Sequence, residues 1–286
     1  MSNEVDREWQ KENTENGIRT VTFGSWMQFQ EYINTQFIHD SEYVFRGHRC
    51  DNWLLEPTLS RLIKAQPHLA SLPSEKLNDL AERHYFDFQY AIRGRSREQS
   101  QEMVGDYLWA LGQHYGLATP LLDWTNSPFL AAFFAFVENG EPQTEYRVIY
   151  AIAKEMVEQR CKQFRSKGNN EAEFVYFFSP LSQENPRLVN QGGLFSRCPL
   201  HIDLETWVRK YHDEAWEVPV LLKLRIPNLE RDVCLRSLSR MNINHLTAFP
   251  DLFGASQFCN MATSLKGYSH HLGRPRPARL RLGRTS

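Results

Sequence analysis

An apolar strand pattern, Tyr43-Val44-Phe45, runs directly into Arg46-Gly47-His48. An arginine at a strand end offers a rigid fork of donors matched to phosphate or carboxylate. A glycine beside it lets a ligand come close to the backbone. The same residues also describe a structural arginine paired with an acid, followed by a turn glycine. A second group lies in Gly116-Leu117-Ala118-Thr119-Pro120-Leu121-Leu122-Asp123-Trp124-Thr125. An aspartate between leucine and tryptophan must be hydrogen-bonded where it is buried. It caps the helix expected at Ser127, or pairs with Arg46, as readily as it does chemistry. Trp124 beside it reads as core or as a stacking platform. A third group, Gln191-Gly192-Gly193-Leu194-Phe195, follows Arg187. Its glycines mean a bend, a bulge or a close backbone approach, and its glutamine bonds a sugar hydroxyl or holds a loop. His114-Tyr115 ends a helical stretch, where a histidine favours the helix dipole.

The elements that must position these groups follow from periodicity. Ser25 opens a helix with Gln28 at capping-box spacing and Trp26, Phe29, Ile33 and Phe37 on one face. A strand is predicted over 42–46, a short helix over 58–65, a longer one from Ser74, and a helix over 99–115 closed by Gly116. Residues 116–125 read as a crossing segment punctuated by glycine and proline. Ser127-Pro128 is a strong helix start, and 129–137 is apolar all round, so that helix should be buried. Strands are expected over 146–153, 173–178, 193–196 and 219–226. Helices are expected over 154–164, 203–213, 229–241 and 250–261. Helices lead the first half and strands the second. That order points to an α+β fold, a helical N-terminal half packed on a mostly antiparallel sheet. We divide the chain into a flexible lead-in over 1–21, a folded domain over 22–262 and an arginine-rich disordered tail over 263–286.

Composition narrows the classes. The formal net charge of −1 gives the whole chain no strong attraction to nucleic acid or membrane. No apolar run reaches bilayer length, and the polar first residues lack a signal peptide's apolar stretch. Five scattered cysteines without a CxxC pair fit reduced thiols in the cytoplasm. Histidine spacing suggests no metal site. G-x-S-x-G, GxxxxGK[ST] and GxGxxG are all missing, so hydrolase, P-loop and Rossmann readings lack their signatures.

In order, the motifs resemble the FRG domain family, named for its (F/Y)-R-G motif. The likeness runs through Tyr43–Gly47, Trp53-x-x-x-Pro57-Thr58-Leu59 with Arg61, and Gly116–Thr125 with Ser127-Pro128. It continues through Arg187-x-x-x-Gln191-x-Gly193-x-Phe195 to Ile243-x-x-x-x-x-Ala248-Phe249-Pro250-Asp251-Leu252, about residues 22–260. Pro120 stands where the family pattern leads us to expect an arginine, and Ala248 where it has a leucine-like residue.

The family's layout is similar to that of NAD-using ADP-ribosyltransferases, which implies a split sheet and NAD as a substrate, with no metal. By that likeness Arg46, Gln191, Asp123 and Glu173 are the catalytic candidates. Arg46, Gly47, Tyr115, Thr119, Trp124, Thr125 and Phe195 are the NAD-binding ones. The likeness also implies a toxin or anti-phage effector that modifies nucleic acid or protein, with a cognate antitoxin or chaperone. With water as acceptor the chain would be an NAD glycohydrolase. The rival reading is a non-catalytic nucleotide-binding or phage-sensing module, favoured by a neutral Gln191 and by Pro120.

Overall fold

The computed structural model describes residues 10–11, 14–39, 42–95, 105–139, 143–167, 173–179, 193–214, 216, 218–265 and 268. Gln191, Arg187 and the arginines of the tail lie outside the described residues, as do residues 1–9 of the lead-in.

The described strands are β1 (Gln10–Lys11), β2 (Ile18–Thr22), β3 (Tyr43–His48), β4 (Leu121–Thr125), β5 (Tyr146–Ala153), β6 (Tyr176–Phe178), β7 (Gly193–Arg197) and β8 (Leu221–Pro227). They form one mixed sheet in the order β1-β2-β8-β5-β3-β4-β7-β6, eight strands counting the two-residue edge strand β1. Only β2 and β8 run parallel within it. The expected α+β class and mostly antiparallel sheet are therefore observed.

The eleven described α-helices are α1 (Trp26–Gln36), α2 (Thr58–Lys64), α3 (Pro67–Ala70), α4 (Ser74–Ala91), α5 (Asp106–His114), α6 (Pro128–Phe136), α7 (Lys154–Ser166), α8 (Leu204–Lys210), α9 (Arg231–Arg240), α10 (His245–Ala248) and α11 (Leu252–Ser264). They cover both faces of the sheet. α1, α6 and the C-terminal helices bury Phe45, Ile149, Ala151 and Leu224. α7 and α8 bury Val44, Val148, Tyr150 and Ile152 on the other face. The helices α2, α4 and α5 of the N-terminal half cover just one end of the sheet, at Leu121 of β4, Phe195 of β7 and Phe178 of β6. The expected picture of one helical half lying on a sheet is thus too simple, because β3 and β4 of that half are themselves central strands.

Three local differences have physical causes. The lead-in expected to run to residue 21 ends earlier, since β2 pairs with β8 from Ile18↔Leu221 to Thr22↔Arg225 and buries Ile18 and Val21. Residues 121–125, read as a crossing segment, form β4 and pair with β7 from Leu121↔Arg197 to Thr125↔Gly193. The strand expected from Glu173 begins at Tyr176, because Cys161 Sγ occupies both the carbonyl and the N–H of Val175.

α6 sets the position of β3. Ser127 Oγ accepts from Leu130 N at 3.2 Å at its start, with proline in the first turn. At its end, Arg147 Nη1 donates to Ala135 O at 2.5 Å and Arg231 Nε to Phe136 O at 3.0 Å, satisfying carbonyls the helix leaves open. The helix lies so close to β3 that a Cβ on Gly47 would fall 1.9 Å from Ala131 O.

Between β3 and β4 the sheet nearly parts. A single pair, Phe45↔Thr125, joins the two strands. Beyond it β3 stays paired with β5 through Gly47↔Ile149 and His48↔Val148, while β4 stays with β7.

Candidate functional site

The seam opens where Arg46 and Asp123 stand on opposing strands. Arg46 Nη1 donates to the main-chain carbonyl of Asp123 at 2.8 Å and lies 3.4 Å from its Oδ2. A guanidinium thus fills the place of the missing ladder bonds. Its Nε donates to His48 Nε2 at 3.0 Å, so the histidine carries its proton on the other nitrogen. Burial first, and then the Arg46 charge, push the His48 pKa down to about 3. His48 is therefore a neutral acceptor that aims the guanidinium. Among the described residues no bond engages Arg46 Nη2.

A cavity of about 400 Å³ occupies the seam. Phe45, Phe134, Phe195 and Phe249 give it aromatic walls, and Arg46, Gln113 and Asp123 give it polar groups. Asp123 is 60% exposed at the side chain, against 21% for Arg46. The aspartate between Leu122 and Trp124 is thus not buried, yet it is hydrogen-bonded, to Gln113 Nε2 at 2.6 Å. Alternation along β4 turns Leu122 and Trp124 into the core under α7 and α8 and leaves Asp123 facing the opening.

The other candidates divide. Gly47, Thr125 and Phe195 line the cavity. Thr125 Oγ1 accepts from Ser127 N at 3.1 Å, and Phe195 stacks on Phe178 at 5.6 Å between centroids. The glycine's lack of a side chain admits α6. Trp124 also borders the cavity, but its side chain belongs to the core, with the indole N–H on Ser196 Oγ at 2.8 Å. Thr119 is fully buried, and its N–H donates to Thr58 Oγ1 at 2.9 Å. Tyr115 is 77% exposed and lies off the cavity wall.

Glu173 is held in a separate cluster, by Tyr211 Oη at 2.7 Å, His201 Nε2 at 3.2 Å and Lys210 Nζ at 3.5 Å. Burial pulls its pKa up. The Tyr211 hydrogen bond and the His201 and Lys210 charges outweigh that and hold it below the usual carboxylate range. It is not brought to Arg46.

Three contributors carried no sequence signal. Gln113 sits in the last turn of α5 and reaches Asp123 Oδ1 at 2.6 Å. His48 was visible only as the residue after the glycine. Phe134 looked like one more apolar residue of α6. Phe249, by contrast, belongs to the late Ala248-Phe249-Pro250 motif, and its ring closes the cavity.

A second cavity, of about 470 Å³, shares Arg46, Gly47 and Phe134 as walls with the first. Among the described residues no cluster of His, Cys, Asp and Glu suits a metal ion, and no helix is long and apolar enough to cross a membrane.

Residues 41–144 match the sequence model of the FRG domain. The matched stretch runs from the start of β3 past α6, and so contains Arg46, Gln113 and Asp123. Phe195 and Phe249 come from beyond it. No curated protein and no solved structure matches the chain.

Proposed function

We propose that the chain binds NAD at the seam and cleaves its nicotinamide–ribose bond, passing the ADP-ribosyl group to a nucleic-acid or protein acceptor. The observation that carries this reading is the state of Arg46. Its guanidinium is fixed through Nε and Nη1, and its Nη2, engaged by none of the described residues, lies on a wall common to two cavities. A dinucleotide has that layout, two ring-bearing halves joined by a pyrophosphate, and arginine suits the join. The aromatic cavity suits a flat ring. The near-parting of the sheet at Phe45↔Thr125 supports the likeness to the split sheet of ADP-ribosyltransferases.

Asp123 is the carboxylate at this cavity. Breaking the C1′–N bond sends the electron pair to the departing nicotinamide and leaves positive charge on the ribose, as in glycoside cleavage. An ionised Asp123 stabilises that charge. The acceptor supplies a lone pair to C1′, and its proton passes to the carboxylate or to solvent. Water in that role makes the reaction NAD hydrolysis. Following the same resemblance, we assign the chain to a cytoplasmic toxin or anti-phage effector with a cognate antitoxin or chaperone.

The test is to incubate the purified chain with NAD and quantify free nicotinamide for the wild type, Arg46→Ala and Arg46→Lys. Release by the wild type that Arg46→Ala abolishes, and that the forkless Arg46→Lys restores only in part, supports the reading. Equal release from the wild type and Arg46→Ala overturns it. A second reading, a module that binds the nucleotide without cleaving it, is favoured by one observation: Gln113 and Arg46 already engage both carboxylate oxygens of Asp123. NAD that raises the melting temperature without any nicotinamide release would select it.

A further inference from the structure

The motif Trp53-x-x-x-Pro57-Thr58-Leu59 with Arg61 finds its use on the far side of Arg46. Trp53 and Arg61 both line the second cavity, together with Arg49, Asn52 and Glu56. Two of the charges here are compensated. Lys64 Nζ pairs with Glu56 Oε1, and Arg49 Nη1 lies 2.5 Å from Glu138 Oε2. Arg61 differs. It is exposed, and among the described residues no hydrogen bond or ion pair engages its guanidinium. Trp53 is 38% exposed, with the Arg49 guanidinium carbon 5.2 Å from its ring centroid. A half-exposed tryptophan and a guanidinium that no described residue pairs, on the walls of one cavity, give a base a stacking surface and a phosphate a cation.

We infer that this cavity is a nucleoside-phosphate subsite, in which Trp53 stacks the base and Arg61, with Arg46 Nη2, holds the phosphate. It rests on the NAD reading insofar as Arg46 is common to both cavities, and it names what the half remote from the nicotinamide meets. The ligand group is the adenosine-phosphate end of a dinucleotide or a separate nucleotide, since one chemistry serves both.

The test is calorimetric titration of the full chain with ADP-ribose, AMP, nicotinamide and inorganic phosphate, using the wild type, Arg61→Ala, Arg61→Lys and Trp53→Ala. Both side chains are exposed, and thermal unfolding checks that each variant is folded. ADP-ribose should bind at least about tenfold more weakly to Arg61→Ala and Trp53→Ala. Arg61→Lys should lose less, and nicotinamide binding should not change. A parallel loss for AMP means that a separate nucleotide suffices. A loss confined to ADP-ribose means that the group must extend to Arg46. ADP-ribose binding within twofold of the wild type in both alanine variants, or no binding to the wild type, overturns the subsite. So does phosphate binding as tightly as AMP with no response to Trp53→Ala. Nicotinamide release by the wild type is read in parallel. If release is absent while variant-sensitive ADP-ribose binding is intact, cleavage is defeated and the subsite stands. Release without such binding does the reverse.

Discussion

Gln113 donates its carboxamide N–H to Asp123 Oδ1 across 2.6 Å, while its Oε1 accepts from the Thr119 hydroxyl. Thr119 is in turn tied to Thr58 through its N–H. The buried hydroxyl thus fixes which way the amide points, and the amide fixes the carboxylate. Gln113→Leu removes that restraint and takes away the acceptor of the Thr119 hydroxyl proton, leaving only the Leu121 N–H on that oxygen. Nicotinamide release should fall about tenfold, mainly in kcat, because a small misplacement of a reacting group is costly. Gln113→Glu should lose more, since it sets a second carboxylate against Asp123. Full activity in Gln113→Leu would remove Gln113 from the positioning of Asp123.

Gly47 looks like a ligand-contact residue in the sequence, yet α6 requires it. An added Cβ would meet Ala131 O at 1.9 Å and Ala135 N at 2.8 Å, both main-chain atoms of a buried helix. Gly47→Ala should destabilise the chain by about 3 kcal/mol or more, as overpacking against backbone does. Denaturant unfolding measures this. A loss below about 0.5 kcal/mol would show that α6 shifts freely, and the glycine would then be available to a ligand.

What the sequence revealed and what it hid follow from the range of each signal. The capped start of α6 is local, and Ser127-Pro128 announced it. The apolar periods of β5 and β8 are local too, and both strands appeared near their expected bounds. β4 was hidden because Gly116 and Pro120 suggest a turn, and because Leu121–Thr125 becomes a strand only by pairing with β7, some seventy residues later. The same long-range pairing decides that Asp123 faces the opening and Trp124 the core. Arg46 was legible as an arginine next to a glycine. That its charge bridges two strands which pair only at Phe45↔Thr125 is a property of the sheet alone. The placement of Glu173 away from Arg46 was hidden for a related reason, since His201, Lys210 and Tyr211 surround it only after α8 has packed.

His48 gives stability a pH dependence whose sign is fixed. Its folded pKa of about 3 lies below the ordinary histidine value of 6.5, owing to burial first and then to the Arg46 charge, with smaller contributions from Arg61 and Lys223. Between those values the unfolded chain binds the proton and the folded chain does not. The contribution is complete above pH 6.5 and is lost as the pH falls toward 3. His245, pushed down to about 4 by burial, acts in the same direction. Unfolding free energy should drop by roughly 3 kcal/mol from His48 alone between pH 7 and pH 4. His48→Gln keeps an acceptor for Arg46 Nε without titrating, and should flatten that part of the curve. An identical curve for His48→Gln would mean that the histidine is not held neutral by its surroundings.

Arg46 and Asp123 touch, so their roles separate only through different measurements. Arg46 serves binding: Arg46→Ala should weaken ADP-ribose affinity about tenfold or more, as loss of a charged donor pair does. Asp123 serves the charge that appears only when the glycosidic bond breaks. Asp123→Ala should therefore lower kcat for nicotinamide release about a hundredfold while ADP-ribose affinity stays within threefold of the wild type. Asp123→Asn is a less clean variant, because an amide N–H turned toward Arg46 Nη1 opposes two donors 3.4 Å apart, whereas the Gln113 bond to Oδ1 is retained. It should match Asp123→Ala in kcat and show some of the Arg46→Ala binding loss. Loss of affinity without loss of kcat in Asp123→Ala would assign the carboxylate to holding the guanidinium in place, and the stabilising charge would have to come from another group.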